Sequence, residues 1–132
     1  MNSKPAILLV DHGSRRAEAN QQLESIAQLL RDRDPERIVR IAHMEIAKPT
    51  IAEGLAACVS AGARDIVVHP YLLAPGRHSR EDIPALSAEA AAAHPGVAVR
   101  ISEPLGVHEK LVDVVLERVD AAERDKQPLG DS

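Results

Sequence analysis

Four strand-length apolar segments alternate with four helical patterns along the 132 residues, and this alternation limits the fold more than any other feature. The first segment, AILLV, has no polar interruption, which is typical of a strand covered on both faces in a parallel sheet. Strands are predicted at 6–10, 37–47, 65–73 and 96–102. Helices are predicted at 17–33, 49–62, 83–94 and 106–124.

The alternation predicts an α/β fold, a single doubly wound domain whose four-stranded parallel sheet is flanked by helices. The length fits one domain by the usual range of about 100–200 residues. We assign residues 1–124 to this domain and expect 125–132 to be a polar, disordered tail. The proline and glycine content of 74–84 predicts a loop, with Ser79 or Asp82 as candidate N-cap of the following helix.

Composition narrows the classes of function. The net charge of −4 and a single aromatic residue, Tyr71, argue against a general nucleic-acid binder. No apolar run approaches a membrane span and no secretory signal is evident, so we expect a cytoplasmic protein without membrane partners. The lone Cys58 excludes an internal disulfide and a zinc–cysteine cluster, and its helical context predicts a packed side chain.

Polar residues follow the predicted strands at the edge where open parallel sheets bind ligands, beyond the strand carboxyl ends. Four of the six histidines fall there, together with a carboxylate and several arginines. The candidate site residues are His12, Gly13, Ser14, Arg15, Arg16, His43, Glu45, Gly76, Arg77, His78, Ser79 and Arg80.

The residue types at this edge indicate two kinds of ligand. Two imidazoles and a carboxylate, from His12, His78 and Glu45, suit a divalent transition metal and leave coordination positions open. The arginines beside the histidines, and the amides at a helix start, suit a polyanion. The sequence therefore predicts a reactive metal site next to an anionic ligand.

Four segments resemble the short sirohydrochlorin chelatases of the CbiX and SirB type: VDHGSRR…AN, HMEIAKPTI, GRHSREDIP and PLGVHEKLVDVVLERV. The resemblance extends from about residue 6 to 119. It implies a domain that corresponds to half of a class II chelatase. The implied activity is that of a lyase that inserts a divalent metal (Fe²⁺, Co²⁺ or Ni²⁺) into sirohydrochlorin in siroheme or cobalamin biosynthesis. By motif, the metal-binding and catalytic histidines map onto His12 and His78, and their acidic partner maps onto Glu45.

The resemblance also implies what surrounds those three residues. The remaining candidates would bind the eight carboxylates of sirohydrochlorin. They are Gly13, Ser14, Arg15, Arg16, His43, Gly76, Arg77, Ser79 and Arg80. A homodimer is implied, and we look for its interface in the apolar faces of helices near the site. The metal is a substrate, no organic cofactor is expected, and Cys58 alone cannot hold an iron–sulfur cluster.

Several alternatives stay open at the sequence level. His43 is an extra ligand, a proton carrier or a packed histidine, and His108 is a cap or a substrate contact, whereas His69 reads as structural. A metal or tetrapyrrole carrier would use the same site without turnover. A histidine phosphatase is less favoured because Asp11 stands where an arginine would precede His-Gly, and a receiver domain because His69 and Pro70 replace a phospho-acceptor aspartate.

Overall fold

The computed structural model describes residues 4–125 and 128–130, so the predicted tail lies partly outside the described residues. Strands and helices alternate through the chain as predicted. The strands are β1 (Ala6–Asp11), β2 (Val39–His43), β3 (Asp65–Pro70) and β4 (Ala98–Ile101). The helices are α1 (Ala17–Arg33), α2 (Ile51–Ser60), α3 (Arg77–Ala91) and α4 (Glu109–Arg124).

The strands form one parallel sheet in the order β2-β1-β3-β4, which confirms the predicted fold class. Because β1 lies inside the sheet, its carboxyl end stands between those of β2 and β3. The register sets Asp11 directly opposite His43, and Val10 opposite Pro70. The segments that follow these three strands therefore meet at one edge.

The two faces of the sheet are covered unequally. On the face that packs against α2 and α3, the larger core cluster is fully buried and includes Leu8, Val10, Leu55, Ile66, Val68 and Ile83. The other face buries Leu9 and Val39 against Leu23 and Ala27 of α1. Helix α1 contacts β1 and β2, whereas no residue of α4 is buried. Among the helices of the described chain, none combines the length and apolarity that crossing a membrane requires.

Helix α3 corrects one prediction. The segment 74–84 was expected to be a loop, but α3 begins at Arg77, so Gly76 rather than Ser79 or Asp82 is its N-cap. Pro84 lies inside the helix, at a general cost of about 3 kcal/mol for an interior proline. Burial of the apolar side chains of Ile83 and Ala90 on the inner side of the helix opposes that cost. Tertiary packing thus overrides the local proline and glycine signals.

Strand β2 is also shorter than expected. It ends at His43 rather than at residue 47, because the chain turns sharply over the next residues before α2 starts. The capping box of Thr50 and Glu53 fixes the start of α2 at Ile51, two residues after Pro49. The consequence is that Glu45 stands on a turn beyond the sheet instead of within a strand.

Candidate functional site

The end of β1 and the end of β2 are tied together by Asp11. Its Oδ1 lies 2.5 Å from Nδ1 of His43 and accepts a hydrogen bond of 3.1 Å from the amide of Gly13. His43 is only 1% exposed, so its ring is held beneath the edge. Because a carboxylate oxygen can only accept, Nδ1 of His43 is the donor in this contact.

The backbone of 11–13 runs in contact with the backbone of 43–45. The amide of Met44 donates to the carbonyl of Asp11 at 2.8 Å, and the amide of Glu45 donates to that of His12 at 3.1 Å. A Cβ at Gly13 would lie 1.9 Å from the Glu45 carbonyl oxygen, and Gly13 has a φ of +92°. Only glycine fits this position, and that explains the glycine after His12.

Glu45 stands at the start of a very tight turn. The amide of Ala47 donates to the Glu45 carbonyl at 2.8 Å, and the intervening Ile46 has a φ of +74°. This is a γ-turn of the rarer, strained form, and a β-branched residue there is unusual. Strain of this kind persists where the surrounding structure enforces it, often at functional loops. The turn leaves the Glu45 side chain exposed at the site edge.

The His12 side chain is in contact with the start of α3. Oγ of Ser79 lies 3.3 Å from Nε2 and 3.5 Å from Nδ1 of His12. Ser79 is only 2% exposed, whereas the neighbouring His78 and His12 itself are exposed. The HGS segment after β1 and the GRHS segment of α3 therefore meet, and both predicted imidazoles face outward.

His12, Glu45 and His78 share this edge but do not converge on a common point. Within residues 4–125 and 128–130, no three His, Cys, Asp or Glu side chains are arranged to hold a metal ion. The assignment of the three residues as metal ligands and catalytic groups stays a prediction. What the single chain offers is two accessible imidazoles and one accessible carboxylate on neighbouring segments.

Positive charge surrounds the histidines. Arg15, Arg16, Arg77 and Arg80 are exposed, and no described residue forms an ion pair with them. Helices α1 and α3 also begin here, each without a side-chain cap, so their first amides are open to an anion. The edge is therefore equipped to bind several carboxylates although the chain as a whole is acidic.

Two predicted substrate contacts lie below the surface. His43 and Ser79 are both buried, and each touches a residue of the β1 end, Asp11 or His12. Gly13 is bounded by the Glu45 backbone, so it shapes the edge through its lack of a side chain. We infer that His43, Ser79 and Gly13 hold the exposed residues of the site in position.

The sequence-based candidates omitted two residues that organise the edge, Asp11 and Asn20. The Asn20 side chain accepts from the Ser14 amide at 2.9 Å and donates to the Ser14 carbonyl at 2.8 Å, which closes the turn before α1. Both residues occur in the segment VDHGSRR…AN, where the resemblance already carried a signal for them.

Two of the remaining histidines, His69 and His108, have structural partners. Nδ1 of His69 lies 2.7 Å from the hydroxyl of Ser102, which joins the end of β3 to the segment after β4. Burial lowers the pKa of His69, opposed in part by a hydrogen bond with the Glu103 backbone. His108 is the N-cap of α4 and accepts from the Lys110 amide, so the capping alternative holds. Cys58 is buried, and burial raises the pKa of its thiol to about 11.

The model of the CbiX family matches residues 6–122, which is nearly the whole described chain. The chain belongs to the CbiX family. It is 45% identical over 113 residues to the chloroplastic sirohydrochlorin ferrochelatase of Arabidopsis thaliana, an alignment that covers 86% of this chain and 50% of that protein.

Two solved structures of the CbiX type share its fold. A CbiX protein of Marinobacter aquaeolei VT8 superposes with a TM-score of 0.77 at 31% identity, over 92% of this chain and 100% of that one. The sirohydrochlorin chelatase SirB of Bacillus subtilis subspecies spizizenii, in complex with cobalt, gives 0.80 at 34% identity. That match covers 90% of this chain and 51% of SirB. The chain spans half or less of the length of the curated relatives that it matches first.

Proposed function

We propose that this protein is a lyase that inserts a divalent metal, Fe²⁺ or Co²⁺, into sirohydrochlorin. One observation carries the proposal: in a CbiX-family chain, the accessible His12 contacts the first turn of α3 beside the accessible His78. The relatives' names, ferrochelatase and cobaltochelatase, favour these two metals, and Ni²⁺ has similar ligand preferences. The reaction belongs to siroheme or cobalamin formation.

Metal handling is assigned to His12, His78 and Glu45. A metal to be transferred must be bound weakly enough to leave, and a cage of many strong protein ligands would retain it. The open edge fits that requirement, because the two imidazoles and the carboxylate stand on separate segments and do not form a closed set within one chain. Water and the incoming pyrrole nitrogens would complete the coordination.

Insertion also releases protons. The macrocycle loses two pyrrole N–H protons as the M²⁺ ion binds four ring nitrogens, so the balanced products are the metallated ring and two H⁺. The exposed carboxylate of Glu45 and a neutral imidazole of His12 or His78 are the groups at the edge that can accept them. The contact between the half-buried Asp11 and the buried His43 ties the ends of β1 and β2 together at this edge.

Substrate orientation is assigned to the cationic rim. Arg15, Arg16, Arg77 and Arg80 would pair with the peripheral carboxylates, with the open amides at the starts of α1 and α3 as further donors. Gly76 would let the backbone approach the ring, and Gly13 holds the segment before α1 against Glu45. In this scheme the metal is a substrate, and no organic cofactor or iron–sulfur cluster is required.

A second wall for the flat ring is assigned to a second copy of the chain. One sheet edge contacts one side of a planar macrocycle, whereas the Arabidopsis ferrochelatase named above is about twice as long as the part of it that this chain matches. A homodimer would place two such edges face to face. This assignment completes the proposed function.

The test is a metal-insertion assay. Purified protein, sirohydrochlorin and Co²⁺ or Fe²⁺ are mixed without oxygen, and the absorption change of the macrocycle is followed against metal alone. We expect His12→Ala and His78→Ala each to slow insertion by about 100-fold or more, the scale of losing one general acid or base. The matched control His94→Ala, beyond the carboxyl end of α3, leaves the rate unchanged.

Each outcome of the insertion assay tests a different part of the proposed function. A wild-type rate equal to that of the metal-only control contradicts the enzyme. Tight binding of metal and macrocycle without acceleration identifies a carrier instead. If His78→Ala or His12→Ala retains the full rate, the function stands and the role of that residue is wrong.

A further inference from the structure

A recess of about 320 Å³ opens between the first turns of α3 and the segment that follows β4. We call it the α3–β4 recess. Four prolines line it: Pro70, Pro75, Pro84 and Pro104. Because a proline has no backbone N–H, these four positions offer a ligand apolar surface and no amide donor. A polar group that enters the recess must therefore find its partner among the few polar side chains there.

Those side chains include one cation. Among the described residues that line the recess, Arg80 alone is positively charged, and no described residue forms an ion pair with it. Glu103, also exposed, is the one carboxylate in the same lining. The buried Ser79 and Ile83 form the floor, whereas the exposed Arg80 and Glu103 stand at the rim. The recess thus combines an apolar interior with a free guanidinium at its opening.

The wall opposite α3 is held in place by the backbone. The amide of Ser102 donates to the Val68 carbonyl at 2.9 Å, and that of Leu105 donates to the Leu72 carbonyl at 3.0 Å. These bonds join the segment after β4 to β3 and to the segment that follows it. The recess is therefore preformed, so a ligand group that enters it pays little for ordering the protein.

The recess also shares a residue with the edge that carries the metal-handling histidines. Ser79 lines the recess, and its hydroxyl lies 3.3 Å from Nε2 of His12. One side chain therefore separates the recess from His12. A side arm that enters the recess belongs to a molecule whose body lies beside His12.

We propose that the α3–β4 recess seats one carboxylate-bearing arm of the tetrapyrrole, with the carboxylate on Arg80. The methylene groups of the arm then pack against the prolines and Ile101, which is 38% exposed in the unliganded chain. Glu103 repels a second carboxylate, so the recess takes one arm only. The inference rests on the proposed function and deepens it, because one seated arm fixes how the ring is rotated above His12.

The first experiment measures binding of metal-free sirohydrochlorin to the full chain by absorption titration without oxygen. We expect Arg80→Met to raise the Kd by about tenfold, the scale of one hydrogen bond to a charged group. Arg80→Lys keeps the charge without the planar fork and should fall between wild type and Arg80→Met. Glu103→Gln removes the repulsion and should lower the Kd. The matched control is Arg33→Met, in the last turn of α1, which should bind as the wild type does.

The second experiment fills the recess without a change of charge. Ile101→Trp places a larger side chain in its wall, and tryptophan is well tolerated in strands. We expect weaker binding of sirohydrochlorin, with a melting temperature close to that of the wild type. Ala98→Trp is the control, because Ala98 is an exposed residue at the other end of β4 and does not line the recess.

Kinetics of Co²⁺ insertion separate seating of the arm from chemistry. Since the arm is remote from the ring nitrogens, Arg80→Met should raise KM for sirohydrochlorin more than it lowers kcat. A loss confined to kcat, with an unchanged Kd, contradicts the proposal.

The binding results decide the proposal independently of turnover. Arg80→Met that binds as tightly as wild type, or that binds no more weakly than Arg33→Met, overturns it. Ile101→Trp with the wild-type Kd also overturns it, because the arm then does not enter the recess. If the wild type inserts no metal but the expected order of Kd values holds, the proposed activity fails and the assignment of the recess stands.

Discussion

At the scale of single residues, the site edge depends on how closely the backbone after β1 approaches the backbone after β2. Gly13 allows that approach, and Asp11 holds it by accepting from the Gly13 amide while contacting His43. The turn at Ile46 then projects the Glu45 carboxylate outward. Backbone contacts and the Asp11 side chain thus fix the positions of His12, Gly13 and Glu45 at the edge.

The first residue-scale prediction concerns Gly13→Ala. A methyl group there meets the Glu45 carbonyl at 1.9 Å, in addition to the strain of positive φ. We expect a loss of unfolding free energy of at least about 2 kcal/mol, measured by urea denaturation. Gly62→Ala is the matched control: Gly62 has a φ of +108° with nothing within 4 Å of the added Cβ, so it reports the backbone strain alone. Equal losses in the two variants would contradict the clash.

The second residue-scale prediction concerns pH. Burial holds the pKa of His69 below its ordinary 6.5. As the pH falls below 6.5, the unfolded chain therefore binds a proton at this residue more readily than the folded chain does. Stability from this residue is therefore present above pH 6.5 and is lost as the pH falls below it towards the folded pKa. We expect His69→Gln, which can keep the bond to Ser102, to flatten the decline in melting temperature between pH 7 and 5. A decline as steep as that of the wild type would show that other groups cause it.

At the scale of elements, local patterns predicted most of the fold, and tertiary contacts decided the rest. Helix α1 matches its predicted range 17–33, because helical periodicity and polar flanks agree there. The start of α3 was missed because Gly76 and Pro84 indicate a loop, whereas packing of Ile83 favours a helix. The strand-end rule placed the candidate site residues at one edge, but the pairing of Asp11 with His43 follows from sheet register, which local sequence does not contain.

The element-scale prediction concerns the cap of α2. The Thr50 hydroxyl accepts from the Glu53 amide at 3.1 Å, and the Glu53 carboxylate accepts from the Thr50 amide at 2.9 Å. Thr50→Ala removes the first bond and should lower stability by about 1 kcal/mol, or about 3–5 °C in melting temperature. Thr50→Ser keeps a hydroxyl at the cap and should lose less than half of that. Thermal circular dichroism measures both, and an alanine variant as stable as the wild type would contradict the role of the cap.

At the scale of the whole molecule, one sheet face is covered by two helices and the other by α1 alone. The chain has no phenylalanine or tryptophan, and its core is built from small aliphatic side chains. Such a chain leaves apolar surface exposed, and the second copy of the proposed homodimer would remove part of it from water. Assembly and folding are then expected to be coupled.

The prediction at this scale is a melting temperature that depends on protein concentration. If the two copies of the proposed homodimer separate only when the chains unfold, mass action stabilises the dimer as concentration rises. For two chains of this length, an unfolding enthalpy near 0.7 kcal/mol per residue gives a rise of about 3 °C for each tenfold increase. Scanning calorimetry over two decades of concentration measures it. A wild type whose melting temperature does not change with concentration would show that each chain folds without help from the second.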